Sequence, residues 1–405
     1  MRCAGAMAAL LLLAVAGTTV QALEVTGDLS LQPRWYPQSP AWPGQRSGTV
    51  GLVLEPTLYT DITATASVTL TPYYRFDSAD SRRTHEDVRE AYLLTYGQWG
   101  EHDWELRLGV DRVFWGVAEV HNLVDIINQV DLVEHPRDRP KLGQPMAHLT
   151  LSGDWGLAEA FVLPYHRKRT YPGHKGRMRS RHSIDEHALY ESGARARHVD
   201  AAFRYSHALG VLDFGLSTFV GTSREPSFVV QPRTPTDLSL VPYYGQIRQY
   251  GIDAQLTTDP WLYKLEAIYR TDARNLLGQE EDYGAFIVGF ERALYGVLDS
   301  SADLTLLAEW LYDERGARAI SAWQHDLFLS GFLALNDVPG TEILVGLLSD
   351  LRYETRILNM EIKRRLKGNW SMRLESFVNL QVDRKDLTYD GQRDSFVGAE
   401  LTYSF

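Results

Sequence analysis

The sequence predicts an all-β chain, a transmembrane antiparallel β-barrel of about 18 strands with periplasmic termini and long external loops. Three observations carry this: a period of two in the apolar residues from Leu23 to Phe405, aromatic residues at the ends of the alternating segments, and an N-terminal run of export type. The 405 residues are 44% hydrophobic, 23% charged and 11% aromatic, which excludes a disordered chain. The single candidate for a membrane helix, Ala4 to Ala16, falls short of the roughly 20 residues needed to span a bilayer. A net charge of −11 with no concentrated basic domain argues against nucleic acid as the partner.

At the N-terminus, Arg2 supplies the positive start and Leu10 to Leu13 the apolar centre. Val20-Gln21-Ala22 places compact residues at the −3 and −1 positions, so cleavage is expected after Ala22. This gives a signal peptide over residues 1–22 and one barrel domain over 23–405. Removing Arg2 and no acid moves the net charge from −11 to about −12. Cys3, the only cysteine, leaves with the signal, so the mature chain has neither disulfide nor thiolate chemistry.

The strands follow from Leu23 onward. Leu23, Val25, Gly27, Leu29 and Leu31 share one face of the first, and Val50, Leu52 and Leu54 one face of the second. Ile62, Ala64, Ala66, Val68 and Leu70 make a third run, and the alternation returns around 104–110, 212–216, 261–269 and 304–312. Charged residues mark the other face: Glu105, Arg107 and Asp111, then Lys264, Glu266 and Arg270, then Glu309, and later Arg373 and Glu375. A soluble β-sandwich or β-helix is the alternative, but Tyr and Trp at segment ends favour a lipid-facing barrel. Short connections, near Asp61 and residues 97–103, 153–156, 209–210, 259–260, 298–301, 336–340 and 367–369, alternate with long ones. The tally is 18 strands; 16 is the alternative, because 326–335 and 341–366 are apolar on both faces.

The last segment alternates to the final residue. Gly398, Leu401, Tyr403 and Phe405 resemble the closing-strand signal read by the bacterial outer-membrane insertion machinery. In a bilayer a strand-built protein must close on itself, and 16 to 18 strands leave a lumen too wide for wall side chains to fill. Glu90 is placed inward with Tyr92, because a lipid-facing carboxylate is costly; it either lines the path or pairs with Arg107 across strands.

The connection from Val113 to Pro145 is too apolar to hang in water. It is expected to fold into the lumen, with Leu123, Ile126, Ile127 and Leu132 against the wall and Glu119, Asp125, Asp131 and Glu134 presented to the passage as a constriction. A cap over the barrel mouth is the alternative. The acidic loop among wall charges of mixed sign implies weak selectivity with a lean towards cations.

Asp87-Val88-Arg89-Glu90-Ala91-Tyr92-Leu93, Arg107-Leu108-Gly109-Val110-Asp111-Arg112, Trp115-Gly116 and Ile127-Asn128 with Asp131 resemble a family of Gram-negative outer-membrane barrels related to alginate-export and porin-like proteins. Gln129 stands where that family usually has Pro. The likeness covers about 50 residues and implies a barrel with passive transport; it implies no substrate.

Nine Lys and Arg lie between His166 and His198. On an external loop they are expected either to bind lipopolysaccharide phosphates or to stay solvated. The histidines nearby match no zinc spacing, and no metal or cofactor is assigned. The expected function is a porin-like channel in the bacterial outer membrane for passive diffusion of small hydrophilic solutes, with no enzymatic activity and homo-oligomerisation left open. A plugged structural or binding barrel is the alternative. An outer-membrane hydrolase is third, since G-x-S-x-G and H-E-x-x-H are absent.

Overall fold

The computed structural model describes residues 22–135, 137–234 and 237–405. Residues 1–21, which include Cys3 and nearly all of the expected signal peptide, lie outside the described residues. Seven strands come first: β1 (Glu24–Trp35), β2 (Gly48–Thr63), β3 (Ala66–Asp77), β4 (His85–Trp99), β5 (His102–Asp111), β6 (Gln144–Gly153) and β7 (Gly156–Leu163). β8 (Ser183–Ile184) and β9 (Leu189–Tyr190) lie in a long connection, before β10 (Asp200–Leu209) and β11 (Leu212–Thr222). β12 (Ser227–Thr234) and β13 (Asp237–Tyr244) precede β14 (Gln246–Thr258), β15 (Trp261–Arg274), β16 (Glu280–Leu294) and β17 (Asp303–Asp313). β18 (His325–Ala334), β19 (Glu342–Asp350), β20 (Arg356–Arg365), β21 (Trp370–Gln381) and β22 (Phe396–Ser404) complete the chain.

Eighteen strands form one sheet in which each pairs antiparallel with its neighbours, and β22 pairs with β1 to close it. At the seam the Phe405 N–H donates to the Gly27 carbonyl at 2.9 Å, and the Gly27 N–H returns the bond at 3.0 Å. Closure leaves no unpaired sheet edge, which is what a bilayer requires of strands. The remaining strands, β8, β9, β12 and β13, make a separate four-stranded sheet from the long loops. Short turns and long connections alternate as far as β15; beyond it the turn-side connections 295–302 and 335–341 are longer than the opposite ones at 275–279 and 351–355, and both chain ends lie on the side of the turns at 64–65 and 100–101. The turn between β2 and β3 falls at residues 64–65, so the expected continuous run from Ile62 to Leu70 is split between two strands.

The outward face is apolar and solvent-exposed: Leu29, Leu52, Phe203, Ile252, Val288 and Leu329 all lie open. Trp99, Tyr96 and Tyr263 sit near the short-turn end, and Trp35, Tyr74 and Tyr269 near the long-loop end. Such a band, far larger than the apolar patches soluble proteins expose, is the surface of a barrel solvated by lipid. Inside, charged side chains alternate with a packed cluster on one half of the wall, where Phe161, Ala202, Phe219, Ile247, Ile268 and Tyr283 meet Trp115, Val124, Ile126 and Ile127 of the β5–β6 connection.

Candidate functional site: a loop-divided lumen

The β5–β6 connection lies inside the barrel and is held there by wall carboxylates. Glu266 on β15 accepts N–H bonds from Val117 (2.7 Å), Ala118 (2.9 Å), Leu123 (2.6 Å) and Val124 (3.3 Å), and one from the Asn122 amide (3.1 Å). Glu309 on β17 accepts the N–H groups of Glu119 (2.7 Å) and Val120 (3.1 Å). A loop cannot satisfy its own donors as a helix or strand does, so it enters a lumen only where the wall supplies acceptors. Gly116 allows the close approach: its φ is +127°, and a Cβ there would lie 2.6 Å from Glu266 Oε1. The far part of the loop closes on itself, with the Asp131 N–H on the Pro140 carbonyl and the Leu142 N–H on the Gln129 carbonyl, both at 2.8 Å.

The loop tip reaches the opposite wall. His135 Nε2 lies 2.8 Å from Glu375, Arg373 donates to Asp138 at 2.6 Å, and Arg137 pairs with Glu361. One segment thus runs from β15 and β17 to β20 and β21 and divides the lumen.

All ten expected wall residues occupy inward register positions, and the structure gives most of them partners. Lys264 pairs with Glu119 at 2.8 Å and with Glu291, Arg270 with Glu225 at 3.1 Å, and Arg107 with both Glu105 (2.8 Å) and Asp111 (3.1 Å). The expected Glu90–Arg107 pair does not form. The β3–β4 register shifts between Thr71 and Pro72, leaving Arg89 as an extra residue, and both Arg89 and Glu90 turn inward. Glu90 takes Arg112 as its partner at 2.8 Å, and Arg89 reaches Asp131 at 2.9 Å over the Tyr73 ring.

Of the four loop acids, Glu119 is open, with its side chain 58% exposed. Asp131 and Glu134 are buried against Arg89 and Arg75, and Asp125 against Lys141 at 2.9 Å. All three fasten the loop; Asp125 also borders the cavity, whereas Asp131 and Glu134 do not. Of the apolar loop residues, Ile126 and Ile127 are fully packed and Leu123 partly, whereas Leu132 borders open space in the lumen. Sequence reasoning missed Val124, His121, Arg137, Asp138 and Arg139, and the wall-side Glu225, Arg315 and Trp323. Their spacing does not announce them: several partners lie far along the chain, and where one is near, as Asp313 for Arg315, the pair carries no motif.

His85 Nε2, Asp131 and Glu134 offer ligand atoms within 4.8 Å of one another. Both carboxylates already carry arginines, and the His85 Nδ1 lies 3.1 Å from the Arg83 carbonyl, so Nδ1 is a donor. With the charge of both carboxylates already met by arginines, the trio fits a hydrogen-bonded imidazole better than a metal ion.

A cavity of roughly 1210 Å³ remains beside the loop. Its lining includes Arg179, Thr388 and Asp390 from long loops at one end, and Thr305, Phe332 and Lys363 near the short turns at the other. On β20 four successive inward positions, Ile357, Asn359, Glu361 and Lys363, border it, a span of roughly 20 Å at the rise of a strand. The basic connection after β7 folds over this end. Arg167 pairs with Asp87, Arg177 with Asp394 and Arg181 with Asp390, while Lys168 stays exposed.

No family model and no curated protein matches the chain. Among solved structures it aligns with engineered variants of the Rhodopseudomonas blastica porin: two, each carrying three substitutions, share 10% identity with it, cover 95% of this chain and all of theirs, and reach TM-scores of 0.45 and 0.44. A structure described as "Asymmetric conductivity of engineered proteins" aligns equally, at 10% identity and a TM-score of 0.45 over 95% of this chain and all of the other.

Proposed function

We propose that this chain is a porin-like channel of the bacterial outer membrane, passing small hydrophilic solutes by diffusion through a lumen narrowed by the β5–β6 loop. The observation that carries this reading is the cavity bordered by wall residues from the long-loop to the short-turn ends of β17 and β20. In this reading the lumen is narrowed and not plugged: the loop's apolar packing is concentrated on β6 to β16, its contacts with β17, β20 and β21 run through a few polar side chains, and the cavity lies between them.

In this reading residues 1–22 are a removed export signal, 23–405 one barrel, and the Gly398 to Phe405 end the segment handed to the insertion machinery. Lys168, exposed on the basic loop, is the kind of group that meets lipopolysaccharide phosphate. The likeness to alginate-export-related barrels falls on residues that here attach the loop to the wall, such as Arg89 and Asp131.

Single-channel recording in a planar bilayer tests the proposal. Discrete conductance steps are expected, and deleting residues 117–135 should enlarge them, because removing a constriction widens the path. Folded protein that stays silent, with steps appearing only in the deletion, would replace the channel by a plugged barrel.

A further inference from the structure

Lumen arginines here are almost always paired with acids. Arg75, Arg89, Arg112, Arg204, Arg270 and Arg373 each have a carboxylate within 4.0 Å. Arg139 and Arg169 break the pattern. Both border the cavity, and among the described residues neither has a carboxylate within that distance; Glu225, whose charge reaches both, is itself paired with Arg270 at 3.1 Å. Arg139 donates through Nη1 to His121 Nδ1 at 3.3 Å, and Arg169 through Nε to Gln129 Oε1 at 3.1 Å. A guanidinium carries five N–H donors in a planar fork, so these neutral contacts leave most of each fork unused. Arg139 is also held at φ +43°, a left-handed conformation a residue with a side chain rarely adopts without tertiary constraint. Arg179, nearer the mouth, borders the same cavity over the Trp42 ring and hydrogen-bonds carbonyls, not acids.

The wall beyond is unusual for a wet lumen. The inward positions of β17 to β20 carry Leu307, Phe328, Phe332, Leu344, Leu348 and Ile357, all bordering the cavity. Apolar side chains on both faces of a barrel strand are unnecessary for membrane insertion, which needs only the outer face. A passage with unpaired guanidinium forks on the loop and an apolar strip on the wall matches a solute with an anionic head and an apolar body.

We infer that the passage prefers small organic carboxylates, the carboxylate engaging Arg139 and Arg169 on the loop while the apolar part lies along the β17–β20 wall. This rests on the channel reading. It reverses the lean towards cations drawn from the loop acids, because Asp131 and Glu134 lie against Arg89 and Arg75 and do not border the cavity, while Asp125 and Glu119 at its border are paired with Lys141 and Lys264.

The test compares three probes of the open channel in a planar bilayer: benzoate, benzylammonium and inorganic phosphate, each added to a fixed potassium chloride background. Benzoate should reduce the chloride conductance at concentrations at least tenfold below either of the others. An R139Q/R169Q channel, checked for folding by heat-modifiable mobility, should conduct but lose that difference, with its reversal potential shifted towards cation preference. A conducting wild-type channel that responds alike to benzoate and benzylammonium would overturn the inference and leave the channel reading standing. Equal response to benzoate and phosphate would also overturn it, by removing the role of the apolar wall. Absence of any conductance from folded protein would instead strike at the channel reading, and this inference would fall with it.

Discussion

Two single residues, Glu266 and Glu309, hold the loop in the lumen by taking the place of water for six loop N–H groups. Hydrogen bonds to a charged acceptor contribute more than neutral ones, and an abandoned buried donor is costly, so Glu266→Ala should destabilise the docked loop by on the order of 3 kcal/mol. The expected outcome is a larger and noisier single-channel conductance together with new proteolytic cleavage between residues 117 and 124; an unchanged conductance would contradict it. Gly116→Ala acts on the same contact from the other side, since its Cβ would fall 2.6 Å from Glu266 Oε1. It should reproduce the Glu266→Ala phenotype in weaker form, read by the same recordings.

At the scale of elements, the β5–β6 loop and the connections bonded to it, which carry His166 and Glu225, share one pH dependence. Burial, aided by Arg139, pushes the His121 imidazole down to about 3, and burial holds His166 well below its ordinary range. Released into water, each would take up a proton near pH 6.5, so the docked loop loses stability as pH falls from about 6.5 towards 3. Asp131, held at about 2 by His85 and Arg89 against its burial, and Glu225, held at about 2 by Arg270 and Arg169, act in a lower window. Their contribution is complete above about pH 4.5 and is lost as pH falls towards 2. Current noise and loop proteolysis should therefore be steady above pH 7 and rise between 6.5 and 4, and His121→Gln should flatten the upper part of that rise. A rise confined to below pH 4 would show that only the carboxylates matter.

The same scale shows what the sequence could reveal. Strands β14 to β17 were legible because a half-wet wall imposes period two, and even the turn positions followed. The short strands β8, β9, β12 and β13 were not, since pairings of a few residues inside irregular loops leave no periodic trace. That the loop enters the lumen was readable from Ile126 and Ile127. Which of its acids stay open was not, because Asp131 meets Arg89 across 42 positions and His135 meets Glu375 across 240. Arg89 turns inward only through a bulge, which an alternating pattern cannot foretell.

At the scale of the whole molecule, 18 paired strands close a wall whose outside is built for lipid and whose inside is divided by one loop. The division is asymmetric. Apolar packing is concentrated on β6 to β16 and the apolar border of the cavity on β17 to β20, and the proposed path follows β20. The chain has no cysteine after Cys3, which makes a single introduced thiol a clean reporter. The most direct measurement is the single-channel conductance of Asn359→Cys before and after a charged methanethiosulfonate reagent, with outward-facing Met360→Cys as the control. A stepwise fall in current for Asn359→Cys and none for Met360→Cys is the predicted result. Conductance that persists unchanged in both, or is absent from folded protein, would contradict a passage along β20.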